Sequence, residues 1–374
     1  MMTTKPIGLY LHIPFCVRKC NYCDFCSFPI DTIPRKEEYV SALCREIESY
    51  KYRGIHIDSI FIGGGTPSLL TPDEMKRIVN SVKDSFILSA DTEFTVEANP
   101  KTLSEGKLRE FACLGVNRLS IGLQSIHENE LKILGRIHNY EDFADMYALA
   151  RNCGIENINV DLMYGIPQQT KESFAKTLST VAELSPEHIS IYGLILEEGT
   201  PFYENRNGLD LPSEDEECDM YYYAADFLRG RGYSHYEISN YAKDGKECRH
   251  NLKYWQNEEY IGVGLSAYSY FDCRRFGNTK KIEEYLGGKC TEYSSTEVVD
   301  KTSEAYEFVM LGLRTACGIS LLEYKEKFGL DFLFSREDFV KKLIKDGYAE
   351  LNNGRLRLTE RGFYVSNSIL TELI

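Results

Sequence analysis

The sequence predicts an α/β protein: a partial parallel (β/α)6 barrel followed by a smaller α+β module of winged-helix type. Three observations carry this. Short β-branched runs alternate with amphipathic helical stretches over the first two hundred residues. Polar and glycine motifs fall at successive strand ends, where parallel barrels place their sites. The pattern then changes from Lys301 onward. Strands are expected at Ile7–Ile13, Ser59–Ile62, Glu93–Glu97, Arg118–Leu123, Ile158–Met163 and His188–Leu194. Helices fit Lys36–Tyr52, Pro72–Ser85, Glu105–Leu114, Tyr140–Asn152 and Lys171–Leu184. Thr71-Pro72-Asp-Glu74 is a capping-box pattern with proline at the first helical position, and Gly154 supplies a helix stop. Six βα repeats read as a barrel or an open arc of one.

The expected division is a barrel over residues 1–210, an extension over 211–299 and the C-terminal module over 300–374. In the module, helices lead to a hairpin from Tyr348 to Leu358 with an Asn353-Gly354 turn, and Thr359 caps a final helix. Winged helices often bind DNA. Here Asp300–Ile374 carries 11 basic and 12 acidic residues, and the whole chain has a formal charge of −14, so nucleic acid is disfavoured as a partner. Packing or partner docking suits the module better. No apolar run reaches the roughly eighteen residues of a membrane span, and the N-terminus lacks a signal peptide's apolar core. A cytoplasmic location with at most peripheral membrane contact is expected. Most of the twelve cysteines are scattered singly; Cys44, Cys113 and Cys153 read as small buried hydrophobes.

Three cysteines are different. Cys16, Cys20 and Cys23 follow the first strand in a C-x3-C-x2-C spacing, on the rim where barrel sites lie. One short loop of this kind can wrap three corners of a [4Fe–4S] cubane and leave the fourth iron open. Ferredoxin-type motifs bring four cysteines and only carry electrons. An open iron can take the amino and carboxylate groups of S-adenosylmethionine, whose reductive cleavage yields a 5′-deoxyadenosyl radical. Two other readings stand beside this one. Cys26 could complete a zinc site, although the run has no second knuckle. Alternatively Cys26 could close the cluster as a fourth ligand across a short spacer.

Other rim motifs support an open iron. Gly63-Gly64-Gly65-Thr66-Pro67 ends strand two, and consecutive glycines let backbone groups approach a ligand. Glu97 ends strand three, where a carboxylate could accept from ribose hydroxyls or an ammonium; Gln124 ends strand four. Arg136 follows, and Asp161 lies on strand five. His56, His127 and His188 lack such a setting and read as structural.

Together these residues resemble the radical S-adenosylmethionine family that contains oxygen-independent coproporphyrinogen III oxidase and the HemW-type heme chaperones, over nearly the whole chain. The resemblance implies that Tyr10, Gly65 and Glu97 contact cluster-bound S-adenosylmethionine. It implies that Tyr22, Thr66, Gln124, Arg136 and Asp161 contact a second molecule of it. Three features favour the chaperone branch over the oxidase. Phe25 stands where the oxidases have a fourth cysteine; nine residues precede Tyr10, where oxidases carry a longer extension; and His250-Asn-Leu-Lys-Tyr-Trp255 is similar to the chaperones' H-N-x-x-Y-W motif. On this reading His250 ligates heme beside Tyr254 and Trp255; by itself it would be a packed loop histidine. Tyr268 stands where relatives often have histidine. The implied role is heme delivery to an apo-hemoprotein, with a flavodoxin or ferredoxin as electron donor and a possible homodimer. The alternatives are the oxidase reaction and radical opening of the heme ring.

Overall fold

In the computed structural model, which describes residues 5–31, 35–288 and 295–374, six strands take the expected parallel order. They are β1 (Ile7–Ile13), β2 (His56–Gly64), β3 (Ile87–Ala98), β4 (Arg118–Gln124), β5 (Asn157–Tyr164) and β6 (His188–Gly193). Each pairs in parallel with the next. A further parallel strand, Tyr260–Val263, pairs with the free edge of β1. Antiparallel strands lengthen both ends: Asn240–Ala242 and Ser234–Glu237 beyond β6, and Tyr268–Phe271, Arg274–Gly277 and Ser295–Val298 beyond Tyr260–Val263. The result is one twelve-stranded sheet curled as an open arc.

Period-two alternation decides what lies on each side of this arc. In β1, Ile7, Leu9, Leu11 and Ile13 are buried in the main apolar core. Tyr10 takes the opposite face, beside Phe61 and His250. The helices are set by their termini. Thr71 accepts from the Glu74 amide, the Glu74 carboxylate accepts from the Thr71 amide, and Pro72 occupies the first helical position. The first helix is shorter than expected, Lys36–Glu48, because the chain leaves it in tight turns that end at exposed Tyr52 with φ 69°. Cys44 is buried as expected, but Cys113 is exposed on the outer face of helix Glu105–Leu114.

The C-terminal part gathers its own core around Val309, Ile319, Tyr324, Phe332, Leu343 and Leu356, which Tyr221 of helix Glu214–Arg229 joins. Its hairpin pairs Ala349–Asn352 with Arg355–Leu358 through Asn353 and Gly354, at φ 52° and 73°. Positive φ at both positions matches the right-handed twist of the strands it joins. Glu360 fastens the module to the barrel. Its carboxylate accepts from Arg229 at 2.9 Å and from the Tyr221 hydroxyl at 3.2 Å, with His235 Nδ1 at 2.5 Å. Among the described residues no helix is long and apolar enough to cross a membrane.

Candidate functional site

The inner face of the arc is polar. Parallel barrels usually fill this space with branched apolar side chains. Here alternate positions supply Glu97 from β3, Arg118, Ser120 and Gln124 from β4, Asn159 and Asp161 from β5, and Ser190 from β6. These residues and the cysteine loop enclose a cavity of about 420 Å³. Cys16, Cys20, Cys23, Tyr22, Gly65 and Arg136 complete the wall at the carboxyl rim.

The glycine run holds the cysteine loop. Gly65 N–H donates to Ile13 O at 2.8 Å and Thr66 N–H to Phe15 O at 2.7 Å, so β2 runs on beside the chain leading into Cys16. A Cβ on Gly65 would sit 2.7 Å from Phe15 O, and one on Gly63 would lie 3.0 Å from the Glu97 carboxylate. Gly64, at φ 109°, lies against the His12 ring and donates its N–H to Glu97 Oε2 at 3.0 Å. The missing side chains therefore make room first for the protein's own chain, and Gly64 and Gly65 still line the cavity. His12 braces the loop from the other side. It accepts from the Tyr10 hydroxyl at Nδ1, 3.0 Å away, and Nε2–H donates to Cys26 O at 2.8 Å.

The three thiols suit a cluster. All are free and half-buried, and two already have polar donors: Thr66 Oγ1 at 3.6 Å from Cys16 Sγ and Arg136 Nη1 at 3.4 Å from Cys20 Sγ. Donors to sulfur are a standard means of tuning iron–sulfur sites. Burial raises the Cys16 thiol pKa and pushes the Cys23 thiol up to about 11, so a cluster would have to displace protons from both. Among the described residues, no three His, Cys, Asp or Glu side chains converge on a single metal ion. A cubane asks for something else, since each thiolate binds its own iron corner. Cys26 does not line the cavity; its Sγ lies 3.9 Å from Lys280 O, while Phe25 lines the mouth.

Glu97 is pushed up to about 7, chiefly by burial and then by the charge of Asp161, and burial raises Asp161 as well. Ser120 donates to Asp161 at 3.2 Å and Asn159 at 2.7 Å. A ligand cation between these acids would reverse both shifts. Gln124 ends β4 at φ 71°, an unusual conformation for a non-glycine residue, with its side chain at the cavity. Thr66 and Tyr10 stand behind the wall; Thr66 accepts from Asn99 at 2.9 Å, and Asn99 in turn accepts from Arg136 at 2.8 Å. Asn99 was not singled out in the sequence. It lies two residues beyond Glu97, just past the end of β3, and its place beside a strand-end carboxylate was the available signal.

The structure places His250 away from the cavity. It is 1% exposed at the inner end of the arc, with Nδ1 3.0 Å from Ser59 Oγ and Nε2 2.8 Å from the Tyr254 hydroxyl. Burial, with the Lys253 and Arg118 charges, lowers its pKa to about 3. Ligating heme iron would require exposing the ring and breaking one of these bonds. Its neighbours pack in the same plug. Glu93 accepts from the Arg249 and His250 amides at 3.1 Å, Lys253 pairs with Asp58 and Glu258, and Trp255 donates to Glu237. Only Asn251 of the segment lines the cavity.

An open parallel arc with three cysteines on its carboxyl rim defines a radical S-adenosylmethionine fold. The model of the radical SAM superfamily matches residues 10–181, and that of the HemN C-terminal domain matches 299–365. The heme chaperone HemW of Lactococcus lactis is 36% identical over 100% of this chain and 98% of its own; that of Bacillus subtilis is 37% identical over 96% and 97%. The chain belongs to the radical SAM superfamily and, within it, to the family of these HemW proteins. The structure of Escherichia coli HemN, a coproporphyrinogen III oxidase, superposes with a TM-score of 0.87 at 24% identity, over 98% of this chain and 90% of that one. At that identity the likeness concerns the fold.

Proposed function

We propose that this protein is a heme chaperone: it binds heme and passes it to an acceptor hemoprotein while carrying a [4Fe–4S] cluster and S-adenosylmethionine in the barrel. The observation that carries the reading is similarity along the full length to proteins named heme chaperones. The cavity supports its cofactor part. Cys16, Cys20 and Cys23 would hold the cluster, and its open iron would bind S-adenosylmethionine and supply one-electron chemistry. Glu97 and Asp161 would pair with the ligand's cationic groups, while Arg136 would take an anionic one. Tyr10 acts through His12 on the loop, and Thr66 acts through Cys16 and Asn99. An electron carrier would reduce the cluster.

Heme then sits at the cavity mouth. Phe25, Tyr192 and Ile195 line it and are 60%, 41% and 68% exposed, offering flat apolar surface where soluble proteins normally expose little that is contiguous. Titrating the anaerobic protein with heme tests this through the Soret band. Phe25→Ser and Ile195→Ser should each weaken binding several-fold, and His250→Ala, if folded, should leave the band position unchanged. A Soret shift in the His250 variant would restore that residue as the ligand. Conversion of coproporphyrinogen III by the wild-type protein would favour the oxidase reading.

A further inference from the structure

Arg118 is the bulkiest fully buried side chain among the described residues, and it lines the cavity. A guanidinium has five N–H donors. Among the described residues this one makes a single long hydrogen bond, from Nη1 to Thr95 Oγ1 at 3.5 Å, and its buried Nε finds no partner. Glu93 and Asp161 lend it negative potential, yet among the described residues neither forms an ion pair with it. Glu93 is occupied by the Arg249 and His250 amides and the Cys248 thiol, and Asp161 by Ser120 and Asn159. Buried charges are normally paired, because removing an ion from water costs several kcal/mol. In the wall of the same cavity, Asn251 is half-buried and its side-chain amide makes no hydrogen bond among the described residues. Donors without acceptors at the closed end of a ligand chamber fit an anion that binds there.

We propose that Arg118 and Asn251 form an inner subsite for a carboxylate. It rests on the reading of the cavity as the ligand chamber and adds to it the charge of the group reaching its base. A planar guanidinium takes a carboxylate through two parallel N–H bonds, and Asn251 contributes a third donor. Two ligands carry such a group: a porphyrin, through its propionates, and an S-adenosylmethionine molecule other than the one on the open iron, through its amino-acid end.

The test compares each ligand with its partner lacking the free carboxylate: hemin against hemin dimethyl ester by Soret titration, and S-adenosylmethionine against decarboxylated S-adenosylmethionine by equilibrium dialysis. Both use the cluster-loaded full chain, wild type and Arg118→Gln. One carboxylate-bearing ligand should bind Arg118→Gln roughly 10- to 100-fold more weakly, while its carboxylate-free partner binds both proteins alike. The pair that shows the loss identifies the source. Equal loss for both members of a pair makes Arg118 a scaffold residue, and no loss in either pair removes the subsite; both overturn the proposal. If Arg118→Gln does not fold, Asn251→Ala must show the same selective loss at smaller size, and its absence overturns the proposal as well. A wild-type protein that binds neither ligand defeats the chamber reading itself, and the subsite with it.

Discussion

Cys16, Cys20 and Cys23 face the cavity and Cys26 does not. Iron and sulfide content should therefore collapse in single alanine variants of the first three and persist in Cys26→Ala. Equal loss in the Cys26 variant would mean a closed four-cysteine cluster. Glu97 lies on β3, away from the cysteine loop, and accepts from Gly64 of the glycine run beside that loop. Glu97→Ala should retain its iron and bind S-adenosylmethionine at least tenfold more weakly, the usual effect of losing a charge-assisted contact; undiminished affinity would refute the assignment. At this scale the sequence was informative wherever chemistry is local. Cysteine spacing, a carboxylate at a strand end and an arginine after one are visible as letters. The burial of His250 was not legible, because a histidine's letter carries no burial and the ring lies between Ser59 and Tyr254, which are 191 and four residues away.

Helix Arg249–Trp255 closes the inner end of the arc, and His250 is its central contact. Removing that ring leaves Ser59 and Tyr254 without their partner and opens space beside Phe61. His250→Ala should cost about 2–4 kcal/mol in urea unfolding, by analogy with other large-to-small core changes; a loss below about 0.5 kcal/mol would contradict the plug. Helix Lys36–Glu48 is tied to the extension by Glu46, which accepts from Gly264 N–H, Asn278 and Tyr285 at 2.9, 2.5 and 2.7 Å. Burial, opposed by those donors, pushes Glu46 up to about 7. A folded-state pKa above the unfolded one means that the folded protein binds the proton more tightly. Its stabilising effect is complete below the unfolded value and declines as pH rises through about 4.5 to 7. Glu46→Gln should flatten the fall of stability across that window by roughly 3 kcal/mol, measured by urea melts at several pH values; an unchanged slope would refute it. The parallel strands and their helices were legible from periodicity and caps. The strand Tyr260–Val263 was not, because its partner β1 lies some 250 residues earlier and four residues carry too little pattern.

The described residues form a twelve-stranded curled sheet around a polar chamber, with a C-terminal module held to it by Glu360. The chamber was partly visible in advance, since polar residues recur at every second position of β3, β4 and β5, as a strand with a wet inner face requires. Its closed end was not visible, because Arg118, Asn159 and Asn251 come from three separate segments that only the fold unites. The family relationship fixes the architecture, whereas the cargo is the central claim and rests on the chamber mouth. The direct measurement is heme retention: load the anaerobic, cluster-containing protein with heme, pass it through a desalting column, and read the Soret absorbance before and after adding an apo-hemoprotein. The account predicts about one heme retained per chain, released to the acceptor with the acceptor's own spectrum appearing. Heme lost on the column, with no transfer, would contradict it.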